Sequence, residues 1–195
     1  MLILASSSAT RQTMLRHAGV AFTAHAADLP EEQMMRDWRQ KNLAAMEVAE
    51  NLALAKAMAI SAQHADALVI GADQMLVCGD VWLSKAKGLD EAKNHLRLLA
   101  GKTHQLLTAT VLVQGGQVVW RIVDTADITL RDLTAAEIDA YVARVPDNIL
   151  HSVGCYQFEG LGAQLIASYR GDYFTILGLC LLPLLAALRA QGVSF

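Results

Sequence analysis

No pair of cysteines, pair of histidines or run of basic residues in this chain has the spacing that a metal cage, a redox couple or a nucleic-acid surface requires. The three cysteines, Cys78, Cys155 and Cys180, are far apart and fit neither a zinc nor a redox pattern. An odd, unpatterned set points to reduced thiols in a cytoplasmic protein. The six histidines are dispersed, and none stands four residues from another as on a metal-binding helix. Net charge is −3, with the lysines and arginines scattered singly. A nucleic-acid binder would show a basic face, so any phosphate site here must be local. Long apolar runs are missing too. The stretch 176–188 is interrupted by Gly178 and Pro183 and is too short to cross a bilayer. The opening residues lack the basic start and long apolar core of a secretory signal. Repeats, low-complexity tracts and long linkers are also lacking. The expectation is a soluble, cytoplasmic protein with neither nucleic acid nor membrane as partner.

What the chain does have is apolar bulk. At 195 residues and 54% hydrophobic content it can bury a large core, as one compact α/β domain or two small lobes. The first sixteen residues are the most informative. Leu2 to Ala5 read as a short buried strand. Ser6, Ser7 or Ser8 can cap a helix running through Met14 and Leu15. A helix that starts directly after a strand offers free N–H groups and a positive dipole end, a site for an anion, and Arg11 in the first turn reinforces it. On this segment alone, an ordinary strand–cap–helix unit is the reading the pattern favours.

Further along, residues 20–25 read as a second strand. A helical region spans about 31–64, with a break near Lys41-Asn42. The run 67–70 is an interior strand leading into Gly71-Ala72-Asp73-Gln74. Residues 75–77 and 81–83 form a hairpin. Asp90 caps a helix to Leu99, ended by Gly101. Two long β segments, 105–113 and 117–130, join at Gly115-Gly116. Thr134 and Glu137 make a capping box for a helix to about Ala143, with Pro146 at its exit. A glycine-rich section, 154–162, leads to a strand near 163–168. Gly171-Asp172 then turns the chain toward a C-terminal helix. Long hairpins mixed with strand–helix units predict an α/β fold with a mixed sheet.

Asp73, placed directly after a buried strand, has a position common for catalytic acids, because strand ends in α/β sheets open into ligand crevices. Gly71 allows close backbone approach. Asp73 can accept a proton from water or hold a metal. Arg11, Lys56 and Lys85 are each unremarkable alone. Taken with Asp73 and Glu31 they describe a polyphosphate site, with cations for phosphate oxygens and carboxylates for Mg²⁺ or water.

The order of these pieces resembles the Maf family of nucleoside triphosphate pyrophosphatases over nearly the whole chain. Leu-Ala-Ser-Ser-Ser at 4–8 is similar to the family's L-A-S-x-S-P-R-R. The segment 50–57 looks like its L-A-x-x-K-A helix. Gly71-Ala72-Asp73-Gln74 looks like its G-[AS]-D-[TQ]. Ser84-Lys85-Ala86 stands where the family has G-K-P, and Gly101-Lys102-Thr103-His104 resembles its S-G-K-x-H. Residues 154–160 match G-x-[YF]-x-x-[QE]-G. Gly171-Asp172-Tyr173 with Leu177-Gly178-Leu179 looks like G-D-Y…V-G-L-P. Seven motifs in the right order are highly specific.

The resemblance implies cleavage of a nucleoside triphosphate between its α and β phosphates, giving a monophosphate and pyrophosphate. It also implies a divalent cation (Mg²⁺, Mn²⁺ or Co²⁺), a homodimer, and one domain over 1–195. That domain has the inosine triphosphatase-like form, two-lobed, with a twisted mixed sheet flanked by helices and an active-site cleft. Carried over by position, Asp73 is the acid that activates water and, with Glu31, a metal-side residue. Ser6, Ser8, Arg11, Lys56, Gln74, Lys85 and Glu159 bind substrate.

Ala9 and Thr10 replace the family's usual proline and arginine, which removes one phosphate-side cation. Ala86 and Cys180 replace two further prolines. Gln74 with Glu159 is the combination of the branch acting on 7-methyl-GTP, whereas Thr with Gln marks the branch acting on dTTP and UTP. A carboxylate can accept from guanine N1–H and the 2-amino group, and it favours a cationic ring. Two rival readings stand beside the pyrophosphatase: a nucleotide-binding regulator of cell division or septum formation with little catalysis, and a phosphatase of the terminal phosphate.

Overall fold

The computed structural model describes residues 1–145 and 147–193. The first strand, β1 (Leu2–Leu4), is buried along its whole length. Ser8 caps α1 (Ala9–His17), its Oγ accepting from the Arg11 N–H at 3.4 Å. β2 shrinks to Thr23–Ala24, both exposed, a shorter strand than the apolar letters at 20–25 suggest. The helical region divides, as its sequence indicates, into α2 (Glu31–Gln40) and α3 (Ala45–Ser61). Asn42 sits between them at φ +59, a left-handed conformation that asparagine tolerates.

β3 corrects the sequence reading. It runs unbroken over Leu68–Cys78, so Asp73 lies inside a strand rather than after one. β4 (Val81–Leu83) folds back antiparallel on its end. α4 spans Leu89–Leu99 and takes Gly88, not Asp90, as its cap; Glu91 Oε2 instead accepts from the Lys87 N–H at 2.8 Å. β5 (Thr103–Gln114) and β6 (Gln117–Leu130) join through Gly115 and Gly116 at φ +55 and +72, the double left-handed turn that matches strand twist. The Thr134–Glu137 capping box is formed in both directions at the head of α5 (Ala135–Val142). The expected exit at Pro146 lies outside the described residues. β7 (Ile166–Arg170) starts later than residue 163 because Leu161–Leu165 wind as a 3₁₀ turn. α6 (Tyr173–Ile176) and α7 (Leu181–Ala190) follow.

The seven strands form one sheet in the order β2-β1-β3-β5-β6-β7, with β4 on β3. β1 is parallel to β2 and β3, whereas β7 is antiparallel to β6. The fold is therefore α/β with a mixed sheet flanked by helices. Two compact units share the chain. The first comprises Met1–Gln74, Thr108–Asp124 and the residues from Leu177 onward; the second comprises Met75–Leu107 and Thr125–Ile176. Ile3, Leu4, Leu15, Leu52, Ile70 and Leu112 are fully buried in the first unit. The second packs Leu76, Leu96, Leu99, Ile128, Leu130 and Ile138 into one cluster with Tyr141 and Tyr156. Among the described residues, no helix is long and apolar enough to cross a membrane.

Candidate active site

In the first unit the site begins with a missing side chain. A Cβ on Gly71 would stand 2.1 Å from the Ala53 carbonyl oxygen and 2.8 Å from the Ala57 Cβ. Only glycine lets α3 lie this close to β3. Asp73, two residues on, projects from the same face of the strand. Lys56 stands one turn beyond Ala53 on the same helix face. Its Nζ donates to Asp73 Oδ1 at 2.5 Å, and the two side chains are only 12% and 11% exposed. Glu31, at the start of α2, brings Oε2 to 2.9 Å from the same Nζ. One ammonium thus bridges two carboxylates.

The end of β1 builds the neighbouring part. Ser6 is buried, and its Oγ accepts from the Ser8 N–H at 3.2 Å and from Arg11 Nη1 at 3.3 Å. Arg11 Nε donates to the Gly178 carbonyl at 2.7 Å. Burial pulls the Arg11 guanidinium below its usual pKa, while the charges of Asp73 and Glu31 push it back up. Electrostatically, Arg11 therefore belongs to the same cluster. Gln74 faces the other side of β3, and its Nε2 donates to Thr108 Oγ1 on β5 at 2.9 Å. A Cβ on Gly178 would stand 3.6 Å from Gln74 Oε1 and 3.5 Å from an Arg11 terminal nitrogen, so Gln74 and Arg11 flank one glycine.

Of the residues expected at the site, Ser6, Ser8, Arg11, Glu31, Lys56, Asp73 and Gln74 belong to the first unit. Lys85 and Glu159 belong to the second. Lys85 is exposed in the segment after β4, beside Ala86, which packs on Ala92, Ile149 and Cys155. Glu159 is exposed in the turn that follows Tyr156. Sequence reasoning missed Thr108 and Thr110. Thr110 Oγ1 accepts from the Cys180 N–H at 3.2 Å, and the Thr108 carbonyl accepts from Cys180 Sγ at 3.3 Å. The signal was two threonines on one face of the apolar run 106–113.

Two further polar pairs lie buried in the second unit. His104 Nε2 and Tyr156 Oη share a hydrogen bond of 2.6 Å. Cys155 Sγ lies 3.8 Å from His95 Nδ1. Burial pushes the Cys155 thiol up to about 11, so it stays protonated at neutral pH.

The carboxylates supply hard oxygen donors, suited to Mg²⁺ or Mn²⁺. Glu31 and Asp73 already reach a common cation, the Lys56 ammonium. Among the described residues, no group of three or more His, Cys, Asp or Glu forms a cage. A metal at Glu31 and Asp73 would therefore share its shell with water and phosphate, the usual habit of Mg²⁺.

The class is thus an α/β protein whose mixed sheet carries a lysine-bridged carboxylate pair and a serine-capped helix start beside a half-buried arginine. More narrowly, the chain belongs to the Maf-like protein family, whose family model matches residues 1–191. It is 45% identical over 192 residues to the 7-methyl-GTP pyrophosphatase of Rhizobium meliloti (strain 1021), covering 98% of this chain and 96% of that one. It is 46% identical over 190 residues to the nucleoside triphosphate pyrophosphatase of Hyphomonas neptunium, covering 97% and 96%. The protein of that name from Paramagnetospirillum magneticum is 44% identical over 190 residues, covering 97% and 98%.

Proposed function

We propose that this protein is a nucleoside triphosphate pyrophosphatase, cleaving the α–β anhydride to release a nucleoside monophosphate and pyrophosphate. The observation that carries this is the bridge of Lys56 between Asp73 and Glu31, with Arg11 in the same electrostatic cluster. Asp73 takes the proton of a water whose oxygen attacks the α-phosphorus. The new P–O bond forms as the bond from the α-phosphorus to the α–β bridging oxygen breaks, and pyrophosphate leaves with that oxygen and the electron pair. Lys56 and Arg11 hold phosphate oxygens in line, and cations aimed at developing charge are effective in a partly dry site. The cluster is already balanced, two cations against two carboxylates, so it has no net charge to offer a triphosphate. Glu31 and Asp73 would hold a divalent ion that meets that need, and such an ion would supply neutralisation and polarisation of the phosphates.

The substrate we favour is 7-methyl-GTP ahead of dTTP or UTP. The pairing of Gln74 with Glu159 supports it, as does similarity to relatives named for that activity. Assay of a triphosphate panel with Mg²⁺ or Mn²⁺ and product analysis tests the function. Equimolar monophosphate and pyrophosphate are expected. Orthophosphate as the product would make the protein a terminal phosphatase. Binding without turnover would favour the regulator, the reading to which Ala9 and Thr10 lend weight by leaving one cation out of the helix start.

A further inference from the structure

Residues 177–180 form an irregular turn ahead of α7 and outside the sheet. What fixes this turn is β5. The Cys180 N–H donates to Thr110 Oγ1 at 3.2 Å, and Cys180 Sγ donates to the Thr108 carbonyl at 3.3 Å. Thr108 and Thr110 are two residues apart and share one face of the strand, and both are fully buried. Within the turn, Gly178 stands at φ +94, a conformation glycine takes at no steric cost. Its carbonyl accepts from Arg11 Nε at 2.7 Å. A second nitrogen of the same guanidinium, Nη1, donates to Ser6 Oγ at 3.3 Å. Two contacts on different atoms of a planar fork fix its plane and leave its remaining N–H donors for a ligand. All of these residues belong to the first unit.

We propose that Thr110 and Cys180 are positioning residues: they pin the Gly178 carbonyl, and through it they aim the free donors of Arg11 at the phosphates of the substrate. Thr110 holds the backbone N–H two residues past that carbonyl, so the carbonyl stays on Arg11 Nε. The Cys180 thiol ties the same turn to β5 a second time. A surface arginine gives up rotamer freedom when it meets a phosphate; Arg11 meets it already ordered. Without the Thr110 hydroxyl, a buried N–H would lack its partner, and the turn would shift to find another. Lys56 and Asp73 stand on α3 and β3 and hold each other, so the disturbance reaches the site through Arg11. That Arg11 meets a phosphate rests on the pyrophosphatase reading; how Arg11 is held does not.

Thr110→Val removes the acceptor at nearly constant shape, and Thr110→Ser restores it. Two readouts are needed: hydrogen exchange of the Arg11 Nε–H, followed by nitrogen-15 NMR, and kcat and KM for triphosphate cleavage. In Thr110→Val the Nε–H should exchange about tenfold faster, the worth of one such hydrogen bond. Its kcat/KM should fall by about 10- to 100-fold, the cost of a misplaced group near the reacting centre. Thr110→Ser should stay within about twofold of wild type on both readouts. In an Arg11→Ala background, Thr110→Val should cost less than about twofold more, because residues that act as one unit are not additive. An unchanged Nε–H exchange would overturn the proposal. So would a full further loss in the Arg11→Ala background, which would make Thr110 a general support of the fold. Should Thr110→Val not fold, Cys180→Ala removes only the weaker thiol bond and should speed the exchange about threefold; no change there would equally overturn the clamp. A wild type that releases no pyrophosphate, with Nε–H exchange still governed by Thr110, would sink the enzymatic reading and leave the clamp on Arg11 standing.

Discussion

Asp73 has two demands on one carboxylate. It holds the Lys56 ammonium at 2.5 Å, and in the proposed reaction it takes a proton from water. Asn at 73 keeps an oxygen for Lys56 and loses the basicity. Asp73→Asn should therefore lower kcat by about 10²–10⁴ without changing the circular dichroism spectrum. More than half of wild-type pyrophosphate release in this variant would remove Asp73 from the centre of the mechanism. His104 makes a separate prediction. Burial pushes its pKa down to about 4 from an ordinary 6.5. Between those values the unfolded chain binds a proton that the folded protein refuses, so stability is full above about pH 6.5 and declines as pH falls toward 4. His95 is also lowered, chiefly by burial, and acts in the same direction. The urea midpoint should fall between pH 7 and 5, and His104→Gln should flatten that slope; an unchanged slope would assign the loss to other groups. At this scale the sequence revealed which side chains carry charge and which motifs hold them. The bridging of two carboxylates by Lys56 was not legible, because the contact joins residues 31, 56 and 73 through three separate elements.

At the scale of elements, local chemistry was readable at most points where the cause was local, the cap of α4 at Gly88 rather than Asp90 being an exception. The Asn42 break, the Ser8 cap, the Gly115-Gly116 turn and the Thr134–Glu137 box each depend on residues within a few positions of one another. β3 misled for the opposite reason. Gly71, Asp73 and Gln74 look like a turn, yet each is accommodated in the strand by a distant partner: α3 against Gly71, Lys56 on Asp73 and Thr108 on Gln74. Gly71→Ala tests the first of these. The added methyl meets backbone, which cannot swing aside as a flexible side chain can. Overpacking of this kind costs about 1–3 kcal/mol, and α3 must shift. Activity should fall more than stability alone explains, because Lys56 moves with the helix. A Gly71→Ala protein with normal kinetics at a temperature where it is folded would show that the close approach of α3 does not set the site.

At the scale of the whole molecule, the second unit is inserted within the first along the chain. β1, α1, α3 and the start of β3 are complete by residue 74, but their unit also requires residues 108–124 and those from Leu177 onward. α7 contributes Leu181, Leu184 and Leu188, all buried, and Gly178 supplies the carbonyl that Arg11 holds. A chain ending at residue 176 should lose amide-exchange protection in β1 and α3. Retained protection there would mean that the residues from Leu177 onward are not needed for that core. The nesting also bears on how the protein is made. A ribosome adds about 5–20 residues per second, so the apolar faces of residues 1–74 wait about 5–20 s for the last piece of their core to be synthesised. During that interval they are open to aggregation and to chaperones, whereas residues 75–176 can find their own partners without a gap of that length. The vulnerable period in the life of this protein is therefore its synthesis, and the vulnerable surface is the one that later carries Asp73.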